Sequence, residues 1–186
     1  MKAPGFALFD TAVGRCAIVW HAAGLLGVHL PEADDSRSRR TLARRFPGAV
    51  EAQPSGAAAG AMARIAAFLA GAPDDFATVT LDESGIGAFE RAVYRAARAI
   101  PAGSTSTYGA IAAALGDVRH ARRVGQALGR NPWPIVVPCH RVTGASGWMG
   151  GFSAPGGRRT KLRLLELEGA LAPDSLPLFA APVARP

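Results

Sequence analysis

Residues 131–142 read NPWPIVVPCHRV, and this stretch carries more information than any other part of the sequence. Its apolar run at 135–137 predicts a short buried strand that delivers Cys139 to a turn, with His140 directly behind it. A cysteine near its free pKa is only a few per cent thiolate at neutral pH, and an adjacent imidazole can take its proton, directly or through a water. Cys139 is therefore a candidate nucleophile, although a buried cysteine beside a surface histidine is, taken alone, the more common arrangement.

The bulk composition describes a globular chain. Its 186 residues are 49% hydrophobic and 19% charged, which suffices for one large domain or two small ones. No run of about 18 apolar residues predicts a membrane span, and the first residues do not resemble a signal peptide. The two cysteines, Cys16 and Cys139, are expected as free thiols in a reducing cytoplasm rather than as a disulfide. No spacing of cysteine and histidine indicates a metal site, and we expect no cofactor.

Positive charge is concentrated in one part of the chain. Residues 1–84 hold 8 lysines and arginines against 9 acidic residues, whereas residues 85–170 hold 12 against 4. The net charge of the whole chain is +7. A basic region of this kind attracts polyanions, of which DNA is the first candidate, but a solvated face that maintains solubility explains the charge equally well.

The first 84 residues predict a small α/β domain. Short apolar runs separated by glycine-containing turns indicate a small antiparallel sheet. The expected strands are 6–9, 16–20, 25–30 and 78–81. Two segments with helical periodicity, 36–46 and 55–69, are expected as helices against this sheet. We therefore predict an α/β scaffold domain over residues 1–84.

The next part of the chain predicts a mainly α-helical domain over residues 85–170. Helices are expected at 86–100, 108–115, 118–128 and 160–168. Thr107 is placed to cap the second of these helices, and Gly116 ends it. Because a very short turn joins the second helix to an arginine-rich third helix, the two suggest a helix-turn-helix. Residues 171–186 lack periodicity and are expected to form a mobile tail.

Several separated motifs, in the same order, resemble those of the O6-alkylguanine-DNA alkyltransferases, also called methylated-DNA–protein-cysteine methyltransferases. The motifs are NPWPIVVPCHRV at 131–142, IPAG at 100–103, TYG at 107–109, ARRVG at 121–125, GFS at 151–153 and LLELEG at 164–169. The resemblance is close over residues 85–170 and loose over residues 1–84. It implies that Cys139 accepts an alkyl group from guanine O6, irreversibly and once per molecule, after the damaged base has been flipped out of the duplex.

The resemblance also implies catalytic roles for five residues. Cys139 would be the nucleophile, and His140 would relay its proton through a water. Glu168 matches the carboxylate that orients this histidine, as an aspartate orients the base of a serine triad. Tyr108 matches the residue whose phenol donates a hydrogen bond to guanine N3, which stabilises the charge of the leaving base. Asn131 matches an asparagine that ties the helix-turn-helix to the active-site strand.

The DNA-binding face implied by the resemblance lies on the third helix of the second domain. Arg122 matches the arginine that enters the duplex and fills the space left by the flipped nucleotide. Ala121 and Gly125, four residues apart on one face, would let this helix lie shallowly in a minor groove about 6 Å wide, although close helix packing explains them as well. Arg123 is expected to contact backbone phosphate, and Thr107 is a further candidate DNA contact.

The pocket for the flipped guanine is implied at three positions. The backbone at Val142 and Ser153 matches the positions that read the edge of the guanine, and Phe152 would form a wall. Phe152 stands where many relatives have tyrosine, and Arg123 and His120 stand where smaller residues are more frequent. The first of these departures bears on the pocket that holds the alkylated base, and the other two bear on docking to DNA.

Three other functions compete with alkyl transfer. A non-catalytic alkylated-DNA-binding protein of the same family would lack the cysteine, so the presence of Cys139 argues against it. A cysteine hydrolase usually brings its base from a distant segment, whereas His140 is adjacent and no oxyanion-forming glycine motif is evident. A DNA-binding regulator explains the helix-turn-helix but not the PCHRV motif. We therefore predict a single-turnover methyltransferase that acts as a monomer on double-stranded DNA containing O6-alkylguanine, with no membrane partner.

Overall fold

The structure, a computed structural model, describes residues 3–145 and 150–171 of the chain. Its first part contains the strands β1 (Gly5–Thr11), β2 (Gly14–His21), β3 (Gly24–His29) and β4 (Val50–Glu51). They lie side by side in the order β3-β2-β1-β4, and the predicted hairpins between the first three strands are confirmed. β4 runs parallel to β1, so the sheet is mixed and the prediction of an antiparallel sheet is wrong.

Two helices cover opposite faces of this sheet. They are α1 (Asp35–Arg45) and α2 (Gly56–Leu69), close to the bounds that the sequence predicts. Successive residues of β2 point to opposite faces, so Val19 joins Leu42 of α1 in one buried cluster and Ile18 joins Ile65 of α2 in another. Because α1 carries the chain back across the sheet between β3 and β4, the fourth strand can pair parallel to β1.

The fourth strand predicted at 78–81 is not formed. Leu81 makes only an isolated bridge with Leu25 at the edge of the sheet. The Arg98 guanidinium instead donates to the backbone carbonyls of Phe76, Ala77 and Val79, over distances of 2.6 to 3.4 Å. Because a side chain binds these carbonyl oxygens, the segment packs against the helical part of the molecule and does not extend the sheet.

The second part of the chain is mainly helical, as predicted. Its elements are α3 (Ala88–Arg98), β5 (Ser106–Thr107), α4 (Tyr108–Ala114), a 3-10 turn (Val118–His120), α5 (Ala121–Gly129), a second 3-10 turn (Cys139–Arg141), β6 (Val142–Thr143) and α6 (Arg158–Leu167). The Thr107 Oγ1 accepts from the Ala110 N–H at 3.0 Å, so the predicted cap of α4 is confirmed. The predicted third helix begins as a 3-10 turn because Asp117 caps it tightly, accepting from the Arg119 N–H at 2.9 Å.

The apolar run at 135–137 is buried, but it does not form the predicted strand. The Val137 N–H donates to the Trp133 carbonyl at 2.8 Å, and the Cys139 N–H donates to the Val137 carbonyl at 2.8 Å. Ile135 has a φ of 77°, which lies in the left-handed region that strands do not occupy. Local turns therefore satisfy this backbone, and the strand prediction is wrong because an apolar run indicates burial without specifying conformation.

One buried core continues from the sheet into the helical part. The Trp133 side chain is fully buried, donates its Nε1–H to the Leu25 carbonyl at 2.7 Å, and meets the Tyr94 ring edge-on at 5.8 Å. The Val28 N–H donates to the Pro132 carbonyl at 2.8 Å. The loop of residues 131–137 is therefore held between β3 and α3. Since this core crosses residues 84 and 85, the domain boundary expected there stays a prediction.

The predicted mobile tail lies, apart from residue 171, outside the described residues. Within residues 3–145 and 150–171, no helix is both long enough and apolar enough to cross a membrane.

Candidate active site

Cys139 lies at the start of the second 3-10 turn and is only 9% exposed. Asn131 donates its Nδ2–H to the Cys139 Sγ at 3.2 Å and to the Val137 carbonyl at 2.9 Å. The Asn131 Oδ1 accepts from the Trp133 N–H at 2.9 Å, so the surrounding turn sets the orientation of this amide. Burial raises the pKa of the Cys139 thiol, while the Asn131 hydrogen bond and the charge of Lys161 lower it in part.

His140 and Glu168, which the resemblance pairs, lie together in the structure: His140 Nε2 is 3.0 Å from Glu168 Oε1, and both side chains are buried. Burial would raise the pKa of Glu168, but hydrogen bonds and charges from His140 and Arg141 outweigh it and lower that pKa to about 2. Burial lowers the pKa of His140, because it disfavours the charged imidazolium, so the imidazole is neutral. An ionised carboxylate only accepts, which places the imidazole proton on Nε2 and leaves a lone pair on Nδ1. This Nδ1 has no hydrogen-bond partner among the described residues.

Two further groups at this site, Arg141 and Lys161, were not predicted from the sequence. Arg141 binds both Glu168 oxygens, from Nε at 2.8 Å and from Nη2 at 2.7 Å, and its Nη1 donates to the Ile100 carbonyl. Lys161 is fully buried and donates from Nζ to the Val142 carbonyl at 2.5 Å. Burial lowers the pKa of Lys161 to about 8, against the opposing effect of Cys139. Helical spacing could have indicated the burial of Lys161, because residue 161 lies on the same helical face as residues 165 and 168.

A recess of about 520 Å³ opens beside Cys139. Its lining combines α4, α5 and the segment before α6 around the cysteine: Tyr108, Ala121, Arg122, Gly125, Gln126, Leu128, Gly129, Cys139, Gly151, Phe152 and Ser153. The structure thus brings together most of the residues predicted for the nucleophile, the DNA-contacting helix and the guanine pocket. Gln126 was not predicted, although its position one turn after Arg122 on the same helix was a usable signal.

Tyr108 forms one wall of this recess, and glycines make room for its ring. A Cβ at Gly125 would lie 3.7 Å from the Tyr108 ring, and a Cβ at Gly150 would come within 2.6 Å of the phenol oxygen. Gly150 also has a φ of 66°, a conformation that favours glycine. Burial and the nearby Cys139 raise the pKa of Tyr108, so the phenol keeps its proton. The phenol can therefore act as a hydrogen-bond donor inside the recess.

The two adjacent arginines of α5 lie in different surroundings. Arg122 is exposed and lines the recess together with Ala121 and Gly125. The Arg123 guanidinium lies over the Phe89 ring, 3.9 Å from its centroid, and does not line the recess. Successive residues of a helix point about 100° apart, which is the separation that the sequence predicts for this pair.

Like Arg123, the predicted residues Thr107 and Val142 do not line the recess. The Thr107 hydroxyl is engaged in capping α4, and the residue is half-buried. Val142 is fully buried, and its carbonyl accepts from Lys161. Their roles toward DNA and guanine remain predictions.

The second cysteine differs sharply from Cys139. Cys16 is fully buried in β2, and burial raises the pKa of its thiol to about 12, although a hydrogen bond from Thr11 opposes this. Both cysteines are free thiols, as expected. Across residues 3–145 and 150–171, no group of three or more His, Cys, Asp or Glu side chains is placed to hold a metal ion.

The fold and the site have counterparts among known proteins. The structure resembles that of Mycobacterium tuberculosis OGT in complex with DNA, with a TM-score of 0.73 and 33% identity over 89% of this chain and 93% of that chain. The family profile described as "6-O-methylguanine DNA methyltransferase, DNA binding domain" matches residues 88–170. A methylated-DNA–protein-cysteine methyltransferase of Mycobacterium bovis is 39% identical over 170 residues, 91% of this chain and 95% of the relative. The chain belongs to the methylated-DNA–protein-cysteine methyltransferase family.

Similarity to two further methyltransferases supports this assignment. The protein of that name from Mycolicibacterium paratuberculosis is 47% identical over 121 residues, 65% of this chain and 71% of the relative. The O6-methylguanine-DNA methyltransferase of Pyrococcus kodakaraensis has a TM-score of 0.69 and 29% identity, over 88% of this chain and 99% of that chain. The family resemblance predicted from the motifs is confirmed. It also extends into residues 1–84, because the M. bovis relative aligns with most of the chain.

Proposed function

We propose that the protein repairs double-stranded DNA by moving an alkyl group from guanine O6 to the sulfur of its own Cys139. The methyltransferase activity follows from the family, and the assignment of Cys139 is ours. One observation carries this assignment: the thiol lies in a recess between a phenol donor and a basic helix, and the next residue, His140, is paired with the buried carboxylate of Glu168. A thioether is a poor leaving group, so each molecule reacts once.

The proposed reaction begins with the proton of Cys139. The thiol gives this proton, through a water, to His140 Nδ1, whose lone pair is available because Nε2–H is directed at Glu168. The thiolate attacks the alkyl carbon, a carbon–sulfur bond forms, and the bond from that carbon to guanine O6 breaks. The electron pair of the broken bond stays with the guanine. Asn131 stabilises the thiolate by the hydrogen bond to Sγ.

The leaving guanine requires stabilisation of its negative charge. Tyr108 keeps its proton in the recess and donates a hydrogen bond to guanine N3. Glu168 holds the imidazole in the reactive tautomer and stabilises its charged form after proton transfer. Arg141 keeps this carboxylate ionised, so it acts through Glu168 rather than on the substrate. Phe152 and the backbone of Ser153 would then enclose the flipped base.

DNA binding is assigned to α5, with α4 as the supporting helix of a helix-turn-helix. Ala121 and Gly125 keep the exposed face of α5 low enough for a minor groove. Arg122 projects from the same face and would occupy the space left by the flipped nucleotide. Arg123 and Thr107 would contact backbone phosphate at the edges of this face. Residues 1–84 would act as a scaffold, and the protein would work as a cytoplasmic monomer.

The decisive experiment is the intact mass after incubation with a duplex oligonucleotide that contains O6-methylguanine. We expect a gain of one methylene per molecule, located on Cys139 by peptide mapping, with no further gain at excess DNA. Cys139→Ala should show no gain and should still bind the alkylated duplex, whereas Cys16→Ala should react like the unaltered protein. A methyl group on another residue, or repeated turnover, would overturn the proposal.

A further inference from the structure

A second and larger cleft adjoins the recess at Cys139. Its volume is about 1040 Å³, and it extends from Cys139 to the exposed side of α1. It shares four lining residues with the recess: Gly129, Cys139, Phe152 and Ser153. The two spaces therefore meet at the nucleophile. Nothing in the proposed chemistry uses the far end of this cleft.

We name this larger cleft the arginine cleft, because five arginines line it. Its guanidinium groups belong to Arg37, Arg40, Arg44 and Arg45 of α1 and to Arg130 after α5. Among its described lining residues, Glu32 supplies the carboxylate, and Arg37 already binds it at 2.7 Å. Residues 1–84 are slightly acidic in total, but five of their eight lysines and arginines fall at positions 37–45, in the segment that the sequence predicts as a basic amphipathic helix.

The charges of the arginine cleft are poorly compensated within the molecule. Among the described residues, neither Arg40 nor Arg44 has a hydrogen-bond or ion-pair partner, and Arg45 only approaches the Phe46 ring, at 5.4 Å. Partial burial and the charge of Arg44 lower the pKa of Arg45, which indicates repulsion between neighbouring guanidinium groups. Arg130 has a distant partner, Glu90, at 3.7 Å. Like charges held together in this way are stabilised when a polyanion binds.

The arginines of α1 differ in whether they line the cleft. Residues 37, 40 and 44 recur at helical spacing on the side of α1 that faces the cleft. Arg39 points elsewhere and is fully compensated, since it binds both oxygens of Glu51 at 3.0 and 2.9 Å. On α1, Arg40 and Arg44 have no partner among the described residues and line the cleft that leads to Cys139, whereas Arg39, which does not line it, is paired.

We propose that the arginine cleft binds backbone phosphates of the lesion-carrying DNA strand, on one side of the flipped nucleotide. The proposal rests on the proposed function, because it requires a guanine in the recess. Since the recess and the cleft share walls at Cys139, Phe152 and Ser153, a strand whose base enters the recess has its next phosphates near the cleft entrance. Guanidinium groups match phosphate oxygens in geometry and charge. The N-terminal part would then contribute to DNA binding as well as serving as a scaffold.

The salt dependence of DNA binding tests this proposal. In a Cys139→Ala background, which prevents transfer during the titration, Arg40→Ala/Arg44→Ala is compared with Arg39→Ala on an O6-methylguanine duplex. Each lost phosphate contact reduces the slope of log K against log salt by close to one, so the double variant should flatten it by about two. Arg39→Ala should leave the slope unchanged. Equal slopes for the double variant and the unaltered background would overturn the proposal.

A second arm identifies the bound segment. The lesion strand is shortened, phosphate by phosphate, first on one side of the O6-methylguanine and then on the other. Removal on one side should abolish the difference between the double variant and Arg39→Ala, and removal on the other side should preserve it. A difference that persists after shortening on either side would overturn the assignment to this strand. Intact mass distinguishes the two proposals, because failure of Cys139 to gain a methylene in the unaltered protein contradicts the function itself.

Discussion

At the scale of single residues, the site depends on a carboxylate bound by two consecutive side chains. Glu168 accepts from His140 and from two nitrogens of Arg141, all within 3.0 Å and away from solvent. An ionised group in such surroundings is stable only while its partners remain. The arrangement orients the imidazole, and it also couples the active site to the stability of the fold.

The pH dependence of stability follows from the pKa of Glu168. Its pKa falls from an ordinary value of 4.5 to about 2 on folding, which corresponds to about 3 kcal/mol at 1.36 kcal/mol per pH unit. Because the folded pKa is the lower one, this contribution is present above pH 4.5 and is lost as the pH falls toward 2. Urea denaturation between pH 7 and pH 2 should show the loss.

Glu168→Gln is the control for this prediction. The variant should be less stable at neutral pH, because it leaves the Arg141 charge buried without a counter-charge, and its stability should fall less between pH 4.5 and 2. It should also slow methyl transfer more than it weakens DNA binding. Parallel pH profiles for the variant and the unaltered protein would contradict the prediction.

Asn131 should control the reactivity of the Cys139 thiol. Its hydrogen bond to Sγ stabilises the thiolate, and bonds to charged groups contribute about 1.5–3 kcal/mol, so Asn131→Ala should slow alkylation by iodoacetamide about tenfold at neutral pH. Asn131→Asp keeps an oxygen acceptor for the Trp133 N–H but places a negative charge beside the sulfur. If Asn131 acts on the thiol, the aspartate variant should react more slowly than the alanine variant. Rescue by aspartate would assign Asn131 a purely structural role.

At the scale of secondary structure, periodic segments were predictable and irregular ones were not. The sequence predicts α1 and α2 within one residue of their observed starts because their apolar spacing and flanking caps agree. The run at 135–137 was predicted wrongly because turns and strands can bury the same apolar side chains. Arg141 and Lys161 were missed because burial of a basic residue depends on partners that are distant in sequence.

The surface of α5 leads to a prediction about its two arginines. Arg122→Ala should slow transfer from alkylated duplex far more than transfer from the free O6-alkylguanine base, because only the duplex requires base flipping. Single-turnover rates on both substrates measure this difference. Arg123→Ala is the matched control: it should flatten the salt slope by about one and lose the Phe89 contact, which is worth about 0.5–1 kcal/mol at an exposed site. Equal slowing on both substrates would reassign Arg122 to the chemistry or the fold.

At the scale of the whole molecule, the sheet and the helices share one core through the loop that precedes Cys139. Trp133 reaches the Leu25 carbonyl, and Pro132 accepts from the Val28 N–H. The sequence could not predict this connection, because it joins residues more than a hundred positions apart through backbone carbonyls. The position of the nucleophile therefore depends on both parts of the chain.

Trp133→Phe tests this connection. The variant loses the bond to Leu25 and some buried volume, while the Leu25 carbonyl keeps the Asp82 N–H as a donor. The free energy of unfolding should fall by about 2 kcal/mol in a single transition. Hydrogen exchange should accelerate together at the Val28 and Val137 amides. Faster exchange at only one of them would show that the two parts open independently.

The tie between Trp133 and the sheet also limits how the protein can be shortened. The segment that matches the family profile, residues 88–170, contains Cys139 and α5, but its Trp133, which packs edge-on against Tyr94, binds Leu25 of the sheet. A fragment cut before α3 would expose this aromatic surface to water, and such a surface promotes self-association. Expression of that fragment should give aggregates, and solubility should require either the intact chain or polar replacements on the uncovered face.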